Sequence, residues 1–208
     1  MQKYLNSGLC DYTDIATSTI GHVIDDGHLP QIHAMNRVHH VVGKVRTVIL
    51  HSINATNLRQ ALIESTPGEV LVIDARKLKH RACWGEQRHR AAIFHQLAAV
   101  VVLGAITDIT AIRNMKVPVF AQSVSCLTTR KEGESIVDFD QTIQFEHSCI
   151  ESGDIMIGDA DGVFILKEDQ AKQLLPKFQA LQQDEQQKHS QFFTQNLIDD
   201  YYHFPERI

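Results

Sequence analysis

The sequence has 208 residues, 43% of them hydrophobic, so it can bury one sizeable core, and a single domain of moderate size is expected. It has 20 Lys and Arg against 25 Asp and Glu, and the formal net charge of -5 provides no broad cationic surface for nucleic acid. The longest apolar run, residues 97–105, is far shorter than the ~20 residues of a membrane-spanning helix, and the first residues are polar. We therefore expect a cytoplasmic protein that binds neither membranes nor, directly, nucleic acid.

The first third of the chain predicts a helix, a strand and a second helix. An apolar pattern within residues 14–28 predicts a short helix that ends near Gly27. Residues 41–50 are rich in β-branched side chains and alternate in part, which is typical of a half-buried strand. Residues 56–64 favour a helix, and a Thr-Pro-Gly-Glu turn follows it.

The middle of the chain alternates between buried strands and helices. The expected elements are strands over residues 70–74, 100–103 and 117–121, helices over 86–97 and 109–113, a basic connection over 75–84 and a loop over 104–108. This alternation indicates an α/β core with parallel strands, which bind ligands beyond the carboxyl ends of the strands. Asp74, Thr107 and Asp108 follow or occupy such ends.

After the α/β alternation, the second half of the chain predicts short strands and then a helical segment. Its short apolar runs predict strands over residues 136–140, 142–145, 155–157 and 163–166. From residue 168 to 204, apolar residues at roughly helical spacing predict one or two amphipathic helices, which Pro176 should kink or divide. We expect a domain over residues 1–167 and a C-terminal helical extension over 168–208 that packs on it.

Five stretches of the sequence together resemble the RraA-like family. They are TPGEVLVID at residues 66–74, WGE at 84–86, GAITD at 104–108, PVFA at 118–121 and ESGDIMIGDADGV at 151–163. The family joins RraA, a regulator of ribonuclease E activity, to metal-dependent 4-hydroxy-4-methyl-2-oxoglutarate aldolases, which also decarboxylate oxaloacetate. The resemblance covers residues 14–167 and implies an α/β domain with three β/β/α layers of the swivelling type, assembled as a ring-shaped trimer.

The resemblance also implies a site. In the aldolase members an acidic residue is followed, after twenty others, by Arg-Asp, and here Glu86 is followed in the same way by Thr107-Asp108. Asp108 is then expected to bind a divalent metal, Mg²⁺ or Mn²⁺, while Glu86 orients the metal's waters or acts as an acid and base. The residues expected to bind a small 2-oxo acid substrate are Gly85, Glu86, Gln87, Arg88 and Thr107.

The chemistry of such a reaction supports this choice of residues. Cleavage leaves an enolate of pyruvate, so the site needs a Lewis acid for the keto oxygen and a fixed donor for the carboxylate. Mg²⁺ retains several waters, so Asp108 with Glu86 nearby can suffice, and the amides that open a helix at residues 85–88 are suitable donors. Each residue also has a purely structural alternative: Asp108 can cap a helix at 109, Glu86 can favour a helix dipole and Gly85 can relieve a turn.

Two departures from the family pattern separate two functional hypotheses. Thr107 stands where the family has an arginine that binds the substrate carboxylate, and residues 75–80 replace a glycine-rich stretch. The first hypothesis is a lyase weakened by Thr107, in which Arg88 or Arg90 can supply the missing cation. The second is a non-catalytic regulator that binds a ribonuclease or another protein partner. The basic cluster within residues 76–90 is either a solvated face or a surface for an anion or a partner.

Overall fold

The computed structural model describes residues 10–38 and 40–192. The helices are α1 (Thr17–Gly21), α2 (Leu58–Glu64), α3 (Glu86–Phe94), α4 (Ile109–Ile112) and α5 (Glu168–Phe192). The strands are β1 (His33–Ala34), β2 (Val41–Leu50), β3 (Glu69–Asp74), β4 (Ala82–Trp84), β5 (Ala99–Ile106), β6 (Val119–Val124), β7 (Val137–Phe139), β8 (Ile143–Phe145), β9 (Ser148–Ile150), β10 (Ile155–Gly158) and β11 (Val163–Leu166). Short 3₁₀ turns cover Cys10–Tyr12 and Arg76–Leu78.

Nine of these strands form one sheet whose centre is parallel. The order is β1-β6-β5-β3-β2-β10-β11, with β4 paired to β5 and β7 paired to β2. Neighbouring strands run parallel from β2 through β3 and β5 to β6, so their carboxyl ends share one edge. Strands β3 and β5 are almost entirely buried, which explains their continuous apolar sequences. The predicted α/β core with parallel neighbours is confirmed.

Two clusters of side chains make the sheet the middle of three layers. One face packs against α2 and α3, where Leu58, Leu62 and Ala92 are buried beside strand residues. The other face packs against the small β8-β9 sheet through Ile143 and Ile150. The three-layer β/β/α arrangement is therefore confirmed, and it places the helices that carry the candidate site on one side of the sheet.

Helix α5 packs on the domain through a third apolar cluster. Phe178 is completely buried there, and its ring meets the edge of the Tyr12 ring at 6.1 Å between centroids. The Tyr12 hydroxyl also donates a 2.7 Å hydrogen bond to the carbonyl of Ala171. The expected C-terminal helix is confirmed through Phe192, and Pro176 lies inside it without dividing it. The helical prediction for residues 193–204 lies outside the described residues.

Several predicted boundaries differ from the structure. The loop expected from residue 104 begins later, because β5 continues to Ile106 through Gly104 at φ 154°. A Cβ at Gly104 would lie 3.0 Å from that of Ala75, so glycine allows the strand to continue against its neighbour. The basic connection contains the buried strand β4, and α1 already ends at Gly21. Short elements such as β4 and the unpredicted β9 have too few residues for a visible period.

Candidate functional site

Two helices begin side by side where β4 and β5 end. Strand β4 runs parallel to the last residues of β5, with Trp84 opposite Ile106. The amide of Thr107 donates a 2.8 Å hydrogen bond to the carbonyl of Trp84, which fixes the two chain segments together. Helix α3 then begins at Glu86, and α4 begins immediately after Asp108. The two parts of the predicted motif, although twenty residues apart, therefore meet at the carboxyl edge of the sheet.

Asp108 is held in an uncommon conformation with its carboxylate against α3. Its φ of 54° and ψ of 35° lie in the left-handed region, which aspartate tolerates better than most residues. The exposed side chain makes no cap hydrogen bond to α4. Instead Oδ2 accepts a 2.9 Å hydrogen bond from the amide of Glu86. The structural alternative, a cap on α4, is therefore wrong: Asp108 satisfies one of the unpaired amides of α3.

A glycine is required at position 85 because Thr107 and Asp108 approach its backbone closely. Its φ of -150° is open to any residue, so backbone freedom is not the reason. A Cβ at this position would lie 2.6 Å from Oδ2 of Asp108 and 2.8 Å from Cγ2 of Thr107. The absence of a side chain therefore lets the Asp108 carboxylate reach the first amide of α3.

Glu86 carries a second carboxylate next to this contact. Its Oε1 accepts hydrogen bonds from Nε and Nη2 of Arg90 at 2.9 and 2.6 Å. This is an exposed pair one helical turn apart, which stabilises only weakly and can open. Within the described residues Oε2 accepts no hydrogen bond, so one oxygen of Glu86 remains available for a ligand or a proton.

The remaining predicted residues of α3 lie in its first turn. Gln87 is exposed, and the backbone amides of Gln87 and Arg88 belong to the donors that a helix leaves unpaired at its start. The Arg88 guanidinium donates to the carbonyl of Cys83 and, at 2.8 Å, to that of Ala55. This side chain ties β4 to the segment before α2. A role for Arg88 in substrate binding stays a prediction.

The carboxylates of Asp108 and Glu86 are suited to an open site for a hard dication and do not form a closed structural metal site. Among the described residues, no three or more His, Cys, Asp or Glu side chains are grouped so that they could hold a metal. Asp108 is exposed, and its Oδ1 accepts no hydrogen bond from any described residue. One or two carboxylates with free oxygens, open to water, suit Mg²⁺ or Mn²⁺, which keep most of their water ligands.

The basic cluster within residues 76–90 is largely committed to partners inside the chain. Arg76 binds the Asp74 carboxylate at 2.7 Å, so this aspartate at the end of β3 is paired there. Other members bind as follows: Arg81 to the carbonyl of Thr128, Lys77 to His51, Arg88 to two carbonyls and Arg90 to Glu86. The cluster is therefore a set of separate contacts and no single free cationic surface.

His89 lies within the basic cluster in the sequence, but in the structure it does not belong to an exposed basic surface. It is completely buried, and Trp84 Nε1 donates to its Nδ1 at 3.4 Å. Burial lowers the pKa of His89 to about 4, so the ring is neutral at pH 7. The sequence signal for the burial of His89 was its position three residues before the apolar Ala92, since residues three apart lie on the same face of a helix and both are buried on the inner face of α3.

A groove of about 640 Å³ lies elsewhere in the molecule, between α5 and residues 11–16. Its walls already bond to each other: Asp159 accepts hydrogen bonds from Thr17, and Gln182 accepts them from the amide of Ala16 and the hydroxyl of Thr19. The groove is thus the seam along which α5 meets the domain. It contains none of the predicted site residues.

Comparison with known proteins agrees with the fold and with the family resemblance. The profile of the RraA-like family, described as Aldolase/RraA, matches residues 9–165, and the chain belongs to this family. A Halalkalibacterium halodurans protein named "Putative 4-hydroxy-4-methyl-2-oxoglutarate aldolase" is 33% identical over 155 residues, 74% of this chain and 73% of the relative. A Thermus thermophilus protein named 4-hydroxy-4-methyl-2-oxoglutarate aldolase is 29% identical over 126 residues, 61% and 75% of the two chains.

Solved structures share the fold. Streptomyces coelicolor RraAS2, described as an unusual member of the RNase ES inhibitor RraA protein family, superposes with a TM-score of 0.77 at 20% identity, covering 91% of this chain and 98% of the other. A Pseudomonas syringae protein gives a TM-score of 0.79 at 19% identity, covering 91% and 93%. None of the helices in the described ranges is long and apolar enough to cross a membrane.

Proposed function

We propose that this protein is a divalent-metal-dependent lyase of the 4-hydroxy-4-methyl-2-oxoglutarate aldolase and oxaloacetate decarboxylase type. One observation carries the proposal: the Asp108 carboxylate is held at the first amide of α3, beside Glu86, with one oxygen free. The names of the relatives support the same reaction class. Cytoplasmic location and a homotrimeric assembly belong to this proposal.

Each residue has a role in this reaction. Asp108 would hold Mg²⁺ or Mn²⁺, and the bound metal would supply the Lewis acid for the substrate's keto oxygen. The amides of Gln87 and Arg88 bind the carboxylate of the 2-oxo acid at the positive end of α3. The free oxygen of Glu86 transfers a proton to or from the substrate or a water molecule. The absence of a side chain at Gly85 leaves the space in which these groups approach one another.

Thr107 makes this lyase weak. An arginine would form a charge-assisted pair with the substrate carboxylate, worth roughly 1.5–3 kcal/mol, whereas threonine offers one neutral hydroxyl. That difference corresponds to a loss of about 10- to 100-fold in substrate and transition-state binding. Arg88 and Arg90 do not compensate in this structure, since the first binds backbone carbonyls and the second binds Glu86.

The test measures pyruvate release from oxaloacetate and from 4-hydroxy-4-methyl-2-oxoglutarate, with Mg²⁺ or Mn²⁺ and after chelation. We expect slow, metal-dependent release that Asp108→Asn abolishes, because the amide can still accept from Glu86 but has no charge for a metal. Calorimetric titration should show the same loss of Mn²⁺ binding. Release no faster than the metal-only blank, or release unaffected by Asp108→Asn, would overturn the proposal.

A second candidate function is a non-catalytic regulator that binds a ribonuclease or another protein. It is favoured by Thr107 together with the turn Arg76–Leu78, which fills the place of the family's glycine-rich stretch and pins Arg76 to Asp74. The RraA-like family includes such regulators. Saturable, salt-resistant binding of a purified ribonuclease E-type enzyme, combined with absent turnover, would make this the better assignment.

A further inference from the structure

Three side chains outside the Asp108 site form a continuous hydrogen-bonded line. Lys77 Nζ lies 2.7 Å from Nδ1 of His51, and His51 Nε2 lies 2.7 Å from Oδ2 of Asp138. Lys77 is exposed, while the His51 side chain retains 24% of its accessible surface. An amine, an imidazole and a carboxylate thus stand in series, with the amine at the open end.

The fold brings these residues together from three separate segments. His51 directly follows β2, and its amide donates to the carbonyl of Ile136 at 3.0 Å. Asp138 lies in β7, opposite Ile49 of β2. Lys77 lies in the 3₁₀ turn after β3, the parallel neighbour of β2. The line therefore sits at the carboxyl edge of the parallel strands, where α/β sheets bind ligands.

The hydrogen bonds determine the tautomer of a neutral His51. A lysine ammonium has three donors and no acceptor, so Nδ1 of His51 must accept from it. The proton of the neutral imidazole is then on Nε2, where Asp138 accepts it. A base that contacts a nucleophile and is itself oriented by a carboxylate is the arrangement that activates nucleophiles in several enzyme classes.

We propose that Lys77 is a nucleophilic amine that forms a Schiff base with a small oxo acid. The Lys77 ammonium gives one proton to Nδ1 of His51, and Asp138 stabilises the resulting imidazolium. The amine lone pair attacks the carbonyl carbon, whose oxygen takes the proton back from His51 and a further proton from nitrogen, and leaves as water when the carbon–nitrogen double bond forms. Ammonium and carbonyl compound thus become a protonated imine and one water.

The surroundings of Lys77 indicate the charge of this ligand. Residues 76–81 contain five basic side chains, if His80 is counted, and no acidic one. Asp74 pairs with Arg76, and Asp138 lies at the end of the line, but the four Lys and Arg side chains outnumber these two carboxylates, so the exposed Lys77 and Lys79 still attract an anionic carbonyl compound. The neighbouring Lys79 is also exposed, but no His or carboxylate contacts it among the described residues. It provides an internal reference for the reactivity of an ordinary lysine in the same electrostatic environment.

The experiment traps the imine with cyanoborohydride at pH 7, with glyoxylate as the probe and a chelator present, and maps the reduced adduct by peptide mass spectrometry. We expect Lys77 to be labelled at least about tenfold faster than Lys79, and His51→Asn to slow Lys77 by about 100-fold, which is the low end of general-base effects. Asp138→Asn should slow it less. Lys79→Arg should leave Lys77 unchanged, and Lys77→Arg should remove the fast adduct.

A pH profile distinguishes activation by His51 from simple exposure. At each pH tested, Lys77 in the native protein should be labelled faster than Lys79, and His51→Asn should remove this difference. Equal rates at Lys77 and Lys79, or an unchanged Lys77 rate in both His51→Asn and Asp138→Asn, would overturn the proposal. The assay needs neither a metal nor Asp108, so its outcome is independent of the proposed lyase activity.

Discussion

Gly85→Ala perturbs the contact on which the Asp108 site depends. The new Cβ would lie 2.6 Å from Asp108 Oδ2, and ordinary contact begins at 3.4 Å, so the carboxylate must retreat by about 0.8 Å. A retreat of that size stretches its 2.9 Å hydrogen bond from the Glu86 amide by up to about 0.8 Å, and at the upper limit of about 3.7 Å the contact is no longer a hydrogen bond.

The expected cost follows from that lost bond. Hydrogen bonds to charged groups are worth about 1.5–3 kcal/mol, and the exposed carboxylate places this one at the low end because water replaces the amide. Alanine also restricts the unfolded chain, which returns about 0.4–1 kcal/mol. We therefore expect a net destabilisation of about 1 kcal/mol, or about 2–4 °C in Tm for a chain of this size. Mn²⁺ affinity should fall about 10- to 100-fold, as for other losses of a partner that orients a metal ligand.

Denaturant unfolding and calorimetric Mn²⁺ titration measure the two effects. Gly21→Ala is the matched control, since a Cβ there meets its nearest atom at 3.9 Å and the backbone is not left-handed. That variant should have the same midpoint denaturant concentration of unfolding as the native protein, or a slightly higher one, and an unchanged Mn²⁺ affinity. If Gly85→Ala behaves like Gly21→Ala in both measurements, the close contact with Asp108 does not organise the site.

Two further variants test the structural roles of the Arg88 and His89 side chains of α3. Arg88→Ala should lower the free energy of unfolding by about 2 kcal/mol, because two backbone carbonyls lose a charged donor. Pyruvate release per folded molecule should stay at the native rate, and a selective rise in KM would instead make Arg88 a substrate ligand. The pKa of His89 is about 4 when folded and about 6.5 when unfolded, so the unfolded chain binds more protons as pH falls from 6.5 to 4, and about 3 kcal/mol of stability is lost in that window. His89→Asn, which cannot be charged, should flatten this part of the curve in urea unfolding at pH 7, 6 and 5, and an unchanged slope would show that other groups cause the acid sensitivity.

The sequence was most informative where many residues share one environment. The strands Glu69–Asp74 and Ala99–Ile106 are buried on both faces, so their continuous apolar runs predicted a parallel core. The family resemblance predicted one joint site at Glu86 and Asp108, and the structure shows that both residues follow strands that end at the same edge. Periodicity and strand polarity therefore predicted the parallel α/β core, whereas the three layers and the candidate site followed from the family resemblance.

Single contacts between distant side chains were not predictable. Nothing in the sequence shows that Arg88 reaches the carbonyl of Ala55, or that Asp108 caps α3 and leaves α4 uncapped. The line from Lys77 through His51 to Asp138 joins residues up to 87 positions apart, and only strand pairing brings them together. A basic cluster in sequence likewise gave no indication of which members were already paired.

The most direct test of the proposed lyase is kcat/KM for oxaloacetate of Thr107→Arg against the native protein, in Mg²⁺ and with the metal-only rate subtracted. Restoring an arginine beside Asp108 should raise kcat/KM by about 10- to 100-fold, the value of a charge-assisted pair with the substrate carboxylate. The double variant Thr107→Arg with Asp108→Asn should remove that gain. A Thr107→Arg protein that folds like the native chain and shows no rise, or a rise that survives Asp108→Asn, would contradict the assignment of this site to metal-dependent pyruvyl chemistry.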